Sequence, residues 1–319
     1  MRIGFIGCEG HWYLGLTCLK KDEIVGVAPG YPGENMSGVT ATIESDRIGA
    51  KAKEYKDYKE MLEDIDVAVV SSNCDMNAVI SIDCLKKDVY VYSEKPLATS
   101  LEQLKMLEQA AKTSKAFVSA MFNIRCQAWY RTIKKALPKI GKVRMINTQK
   151  SYKFVVYDRK KDPRGGIIPW VAIHSIDWIQ DMASARILSV NAITNSEDNY
   201  NNGDYEVTAL CQFEMENDII ASVNADFYRP EGADTHGDDR IRVVGTKGIL
   251  EHIGGVVTLI NENGKTELEL EEAEDSFDLF LRRVNGEDVG PSMEDSIYAT
   301  RVALIARDNS NKSAFPINK

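Results

Sequence analysis

"RIGFIGCEGHW", Arg2–Trp12, opens the chain with a run of apolar residues and breaks at Gly7 and Gly10. A short apolar run ended by glycine reads as a strand buried on both faces, as in a parallel sheet covered by helices. The same grammar repeats outward from it. "EIVGVA" (23–28), "DVAVVSS" (66–72), "DVYVYSE" (88–94) and "AFVSAMF" (116–122) read as further buried strands. Between them "YKEMLED" (58–64), "MNAVISIDCLKK" (76–87) and "SLEQLKMLEQAAKTS" (100–114) carry apolar residues at helical spacing, the last behind a Ser100 cap. Strand and helix in alternation predict a doubly wound parallel α/β domain.

A chain of 319 residues exceeds the roughly 250 to 300 at which a single core divides, so two domains are expected. After Asn123 the pattern turns strand-rich. "VRMINTQKSYKF", "RILSVNAITN", "YEVTALCQFEM", "DIIASVNADFY", "DRIRVVGT", "GILEHIG" and "VVTLINE" follow, with turn signals at Asn202-Gly203, Asn217-Asp218 and Asn263-Gly264. The expectation is a Rossmann-type dinucleotide-binding domain over 1–122. An α+β domain over 123–319 follows, with a largely antiparallel open sheet, one helix near 168–183 and a final helix capped by Ser292.

Composition narrows the function classes. Lys and Arg total 39 against 48 Asp and Glu, a net charge of −9 that repels a phosphate backbone, so no nucleic-acid partner is expected. No apolar run reaches the roughly 18 residues that span a bilayer, and no secretory signal is evident, which predicts a cytoplasmic protein without a membrane partner. The six cysteines stand singly and no ligand spacing indicates a metal site.

A turn between the first strand of such a sheet and a helix is where a pyrophosphate sits on backbone N–H groups. Glu9 and Trp12 stand where G-x-G-x-x-G places its second and third glycines, and both are unfavourable to that fit. His11 lies beside the turn and within reach of cofactor or substrate. The second strand ends at Pro29-Gly30 without the acid that holds a ribose 2′-hydroxyl, and the nearest acid, Glu34, comes several residues late. NAD and NADP therefore both stay open. In "SEKPLATS" (93–100), proline ends the strand ladder and aims Lys95 from the carboxyl edge, where ligands bind, although a solvated loop charge is the simpler reading.

With these pieces in place the chain resembles the glucose-fructose oxidoreductase, inositol dehydrogenase and rhizopine-catabolism (Gfo/Idh/MocA) family. The resemblance rests on the Gly7 turn, "YKDYKEMLEDIDVAVVSSN" (55–73), "EKPLA" (94–98), "FNIR" (122–125), "IGKVR" (140–144), "GGIIPWVAIHSID" (165–177) and the terminal helix. It implies hydride transfer between a nicotinamide and a hydroxyl-bearing carbon of a sugar, cyclitol or polyol. It also implies a homodimer or homotetramer formed through the C-terminal sheet. Lys95 matches the family's EKP lysine and His174 its helix histidine, the two expected catalytic residues.

Cofactor contacts are expected from Gly7, Cys8, Glu9, Gly10, His11 and Trp12, from Ser71, Ser72 and Asn73, and from Glu94, Lys95 and Pro96. Substrate contacts are expected from Arg125, Tyr152, Arg164, Trp170 and Asp177. Trp170 stands where the family generally has an aspartate one turn before the histidine, so a Lys-Asp-His arrangement is missing. A sugar-stacking platform and plain packing are both open for that ring. Asp177, three residues after His174, shares its face and can orient the imidazole, although an aspartate there more often packs or caps. Arg164 and Lys161, in "YDRKKDPRGG" (157–166), suit a substrate carboxylate or phosphate or form a solvated charge run. Two other functions compete: a relative that retains its cofactor for a net non-redox elimination or hydrolysis, and a sugar-binding regulatory protein without dinucleotide.

Overall fold

The apolar runs of the N-terminal region form strands in the computed structural model of the protein, which describes residues 1–45, 47–154 and 165–312. Strands β1 (Ile3–Ile6), β2 (Ile24–Ala28), β3 (Lys53–Glu54), β4 (Val67–Val70), β5 (Tyr90–Ser93) and β6 (Val118–Ala120) make one sheet. Its order is β3-β2-β1-β4-β5-β6 and every neighbouring pair is parallel. Helices α1 (Ser37–Glu44), α2 (Tyr58–Met61), α3 (Cys74–Leu85) and α4 (Leu101–Thr113) connect the strands. Ser100 caps α4, its hydroxyl accepting from the Gln103 N–H at 3.1 Å. The order reverses between β1 and β4, which makes the carboxyl ends of those strands the ligand-binding switch point of the sheet.

One expectation fails at that point. The segment after the Gly7 turn is a single 3₁₀ turn, Trp12–Leu16, and no longer helix forms before β2. Gly15 lies flat against the sheet, where an added Cβ would fall 2.7 Å from Val69 and 3.0 Å from Phe5. The segment packs closely on β1 and β4 at that glycine, and a 3₁₀ turn of five residues lacks the helix-terminus contribution to anion binding that a longer helix makes.

The second sheet combines β7 (Val143–Tyr152), β8 (Ile187–Asn195), β9 (Thr208–Met215), β10 (Ile219–Asp226), β11 (Gly237–Gly245), β12 (Gly248–Ile253), β13 (Val256–Asn261) and β14 (Gly264–Leu268). The order is β14-β13-β12-β11-β7-β10-β9-β8. Only the β7–β10 pair is parallel, so the sheet is largely antiparallel, as the turn signals imply. Asn217 and Asp218, at φ 63° and 55°, supply the left-handed hairpin between β9 and β10. Helix α5 (Ala128–Ala136), absent from the sequence reading, and α6 (Ile173–Ala183) bury their apolar residues in this part of the chain. Trp129 of α5 stacks on His252 of β12 at 4.2 Å and meets Trp178 of α6 edge-on at 5.3 Å.

Two compact units result, Met1–Asn123 with Glu274–Thr300, and Ile124–Ala273 with the chain from Arg301 onward. The single division after residue 122 thus has a second crossing. Its cause is helix α7 (Ser276–Val284), whose Phe277 and Phe280 join the core of the first unit and pack on Tyr92 with ring centroids 5.1 Å apart. Helix α8 (Met293–Asp308) begins with a reciprocal cap, Asp295 N–H to Ser292 Oγ at 3.0 Å and Ser292 N–H to the Asp295 carboxylate at 3.3 Å.

Candidate active site

At the switch point of the first unit the chain makes its turn on two glycines. Gly7 has φ 84°, and a Cβ there would lie 2.6 Å from the Ser72 Cα; Gly10 has φ 61°, and its Cβ would lie 2.3 Å from Glu94 Oε2. Neither position accepts a side chain. The turn N–H groups largely have protein acceptors: Gly7 donates to the Ala28 carbonyl at 3.0 Å and Glu9 to the Ser71 carbonyl at 2.7 Å. Cys8 donates to Glu34 Oε1 at 3.0 Å, and His11 to Glu94 Oε2 at 2.7 Å. Two carboxylates, Glu34 and Glu94, thus accept N–H groups of this turn, and Glu9, the residue suspected of facing the phosphate, engages Ser71 through both its N–H and its carbonyl.

Glu94 ties the turn to the lysine. It is 1% exposed; Oε2 also meets His11 Nδ1 at 2.7 Å, and Oε1 accepts the Lys95 N–H at 3.0 Å. Burial pushes this carboxyl up, but the charge and hydrogen bonds of His11, with the Lys95 charge, outweigh it and hold it down at about 2. Lys95 is itself only 2% exposed and precedes a cis proline, Pro96. The solvated-loop reading of this lysine is therefore wrong.

Glu34 returns to the same place. Its carboxylate accepts from Cys8 N–H, from Gly30 N–H at 2.7 Å and from Ser72 Oγ at 3.3 Å. Burial, with this carboxylate next to it, pushes the Cys8 thiol up to about 11. Asn73 caps α3 by accepting from the Asp75 N–H, and Trp12 packs against the strand core. Both are better accounted for as framework than as cofactor contacts.

In the second unit the helix motif starts irregularly. Residues Ile168–Ala172 form a π-turn, with Pro169 unable to donate, before α6 begins. His174 is 3% exposed near the start of α6. The Asp177 carboxylate receives Arg125 Nε at 2.8 Å and a second guanidinium nitrogen at 2.5 Å. Arg125 also reaches Asp181 at 3.3 Å, and Asp181 receives Tyr130 OH at 2.6 Å and the Lys134 ammonium at 3.1 Å. Burial raises the Asp181 carboxyl, while Arg125 and Lys134 bring it below the usual range. Arg125, read from "FNIR" as part of a cleft wall, is a buried clamp on α6.

Tyr152 stacks on His236 at 5.1 Å, with the Lys150 ammonium 4.8 Å from its ring. Lys150 is wholly buried, pairs with Asp239 at 2.7 Å and lies 4.9 Å from the Trp178 ring, one turn after His174. Sequence reading passed over it, although β7 alternation puts this lysine in phase with the buried Ile146 and Thr148. Arg164 and Lys161 lie outside the described residues. Lys95 and His174 belong to different units.

What suits a dinucleotide at the first unit is the strand-order switch with a buried acid, Glu34, beside it that is fit for ribose hydroxyls, whereas the space at Gly7 and Gly10 is taken by Ser72 and Glu94. The comparisons agree. Residues 33–122 match the oxidoreductase family with an NAD-binding Rossmann fold, and residues 130–251 match the GFO/IDH/MocA C-terminal domain. The chain belongs to the GFO/IDH/MocA oxidoreductase family. The first match starts beyond the Gly7 turn, which accords with the divergence there.

A solved structure of an oxidoreductase candidate from Thermotoga maritima is 38% identical, with a TM-score of 0.92 over 98% of each chain. An inositol 2-dehydrogenase/D-chiro-inositol 3-dehydrogenase of Lactiplantibacillus plantarum is 26% identical, over 94% of this chain and 87% of its own. Inositol 2-dehydrogenase 2 of Saccharopolyspora erythraea is 24% identical, over 75% of this chain and 70% of its own. This GFO/IDH/MocA member is a hydride-transferring oxidoreductase that takes NAD or NADP, and neither competing function is favoured. Among the described residues no helix is long and apolar enough to cross a membrane.

Proposed function

We propose that the chain oxidises a secondary hydroxyl of a cyclitol or sugar to the ketone, with Lys95 and His174 as its catalytic residues. The observation that carries this is the buried Lys95, held at the carboxyl end of β5 by a Glu94 that also grips the nucleotide turn through His11. The inositol-acting relatives support the substrate class. The bound nicotinamide ring supplies the hydride acceptor. The chain supplies the rest: Lys95 donates to the substrate oxygen and holds it in register, and His174 takes the hydroxyl proton as the carbonyl forms.

Lys95→Met is expected to lower kcat by about 10²–10⁴-fold in an NADH-absorbance assay over a panel of cyclitols and sugars, with NADH binding retained. Wild-type turnover in this variant would remove the assignment. The reading extends to a cytoplasmic homodimer or homotetramer built on the open face of the eight-stranded sheet, where Leu188 and Ile220 are more than half exposed. Light scattering of the purified chain tests the oligomer.

A further inference from the structure

β2 ends at Ala28, and the acid that normally follows to read the ribose hydroxyls is replaced by Pro29-Gly30. We propose that Glu34, delivered to that place by the loop beyond, makes this chain selective for NAD over NADP. The inference rests on the dinucleotide reading of the first unit and goes beyond it by choosing between the two cofactors.

Glu34 is 8% exposed, and its carboxylate sits at the carboxyl ends of β1, β2 and β4, the strands that flank the switch point. Backbone N–H groups of Cys8 and Gly30 hold one oxygen each, at 3.0 and 2.7 Å. Swinging the carboxylate away would strand both donors, so it cannot retreat from an incoming phosphate without cost. Space for the arrangement depends on a missing side chain, since a Cβ on Gly30 would lie 2.3 Å from Ser72 Oγ.

The remaining contacts of Glu34, Ser72 Oγ at 3.3 Å and Cys8 Sγ at 3.6 Å, are long. A ribose hydroxyl at ordinary hydrogen-bond length outcompetes these long contacts and is read by the carboxylate. A 2′-phosphate donates little and adds close to two negative charges against a fixed one. The segment "PGYPGENM", 29–36, has no lysine or arginine to compensate, and Glu9 adds to the negative surroundings of the adjacent Tyr31.

Calorimetric titration of the whole chain with NADH and NADPH is the test. The expected result is NADH binding at least about 100-fold tighter, an order of magnitude set by charge repulsion in a partly buried site. Glu34→Gln should narrow the ratio at least about tenfold, chiefly by improving NADPH. In the wild type, 2′-deoxy-NADH should bind about tenfold more weakly than NADH, a reading independent of any variant's folding. Equal binding of the two cofactors, or preference for NADPH, overturns the proposal alone. An unchanged ratio in folded Glu34→Gln, or no loss with the 2′-deoxy cofactor, overturns it as well. Absence of binding by both cofactors overturns the dinucleotide reading together with it.

Discussion

The two units bury acids by opposite means. In the first, Glu34 is held chiefly by backbone N–H groups with a hydroxyl as side-chain partner, while Glu94 adds the His11 ring and the Lys95 charge to its two backbone donors. In the second, Asp177, Asp181 and Asp239 face Arg125, Lys134 and Lys150. An amide donates a hydrogen bond without cancelling the carboxylate's charge, so Glu34 keeps a negative site that hydroxyl groups can find. A guanidinium or ammonium cancels it, so the second unit's acids become clamps that hold α6 and β7. The difference separates residues fit to read a ligand from residues fit to hold the element that carries His174.

If Arg125 is a clamp, its loss should be felt first as instability. Arg125→Ala leaves Asp177 buried without its counter-charge and is expected to cost about 3–5 kcal/mol in urea unfolding. A variant of wild-type stability with a raised KM would instead return Arg125 to the substrate-contact role and break the comparison.

Acid should reveal the Glu94 site. The folded Glu94 carboxyl is held below its ordinary value, so its contribution is complete above about pH 4.5, where the unfolded form is ionised, and is lost as pH falls toward 2. Unfolding midpoints between pH 6 and 3 should fall for the wild type by an amount on the order of 2–3 kcal/mol that Glu94→Gln lacks. Parallel profiles for the two proteins would show that the turn does not stabilise this anion. The smallest effect belongs to Ser72→Ala, which removes the long donor to Glu34 and is expected to cost about 0.5–1 kcal/mol while leaving NADH binding intact. A larger loss would mean that the hydroxyl, and not the two amides, seats the acid.

Much of this was readable along the chain. Buried strands announce themselves as continuous apolar runs, so β1, β2, β4, β5 and β6 and their parallel arrangement followed from the alternation of those runs with helical segments, and the caps at Ser100 and Ser292 from local spacing. Lys95 was legible because proline and the strand end fix where a lysine can point. Helices α1, α5 and α7 were not read, being short and framed by irregular segments, and α7 returns to the first unit because Phe277 and Phe280 fit its core.

Periodicity and turn chemistry act over a few residues, so local sequence was enough to specify the strands, the hairpins, the glycine turn and the lysine at a strand's edge. Partnerships between charges depend on which distant backbone happens to pass. Arg125 meets Asp177 across 52 residues, and Glu94 meets His11 across 83. Even Glu34, only four residues from Gly30, reaches Cys8 because β1 and β2 lie side by side. Whether an acid is neutralised or left to read a ligand is settled by those approaches, which form only when the sheet closes and water is excluded.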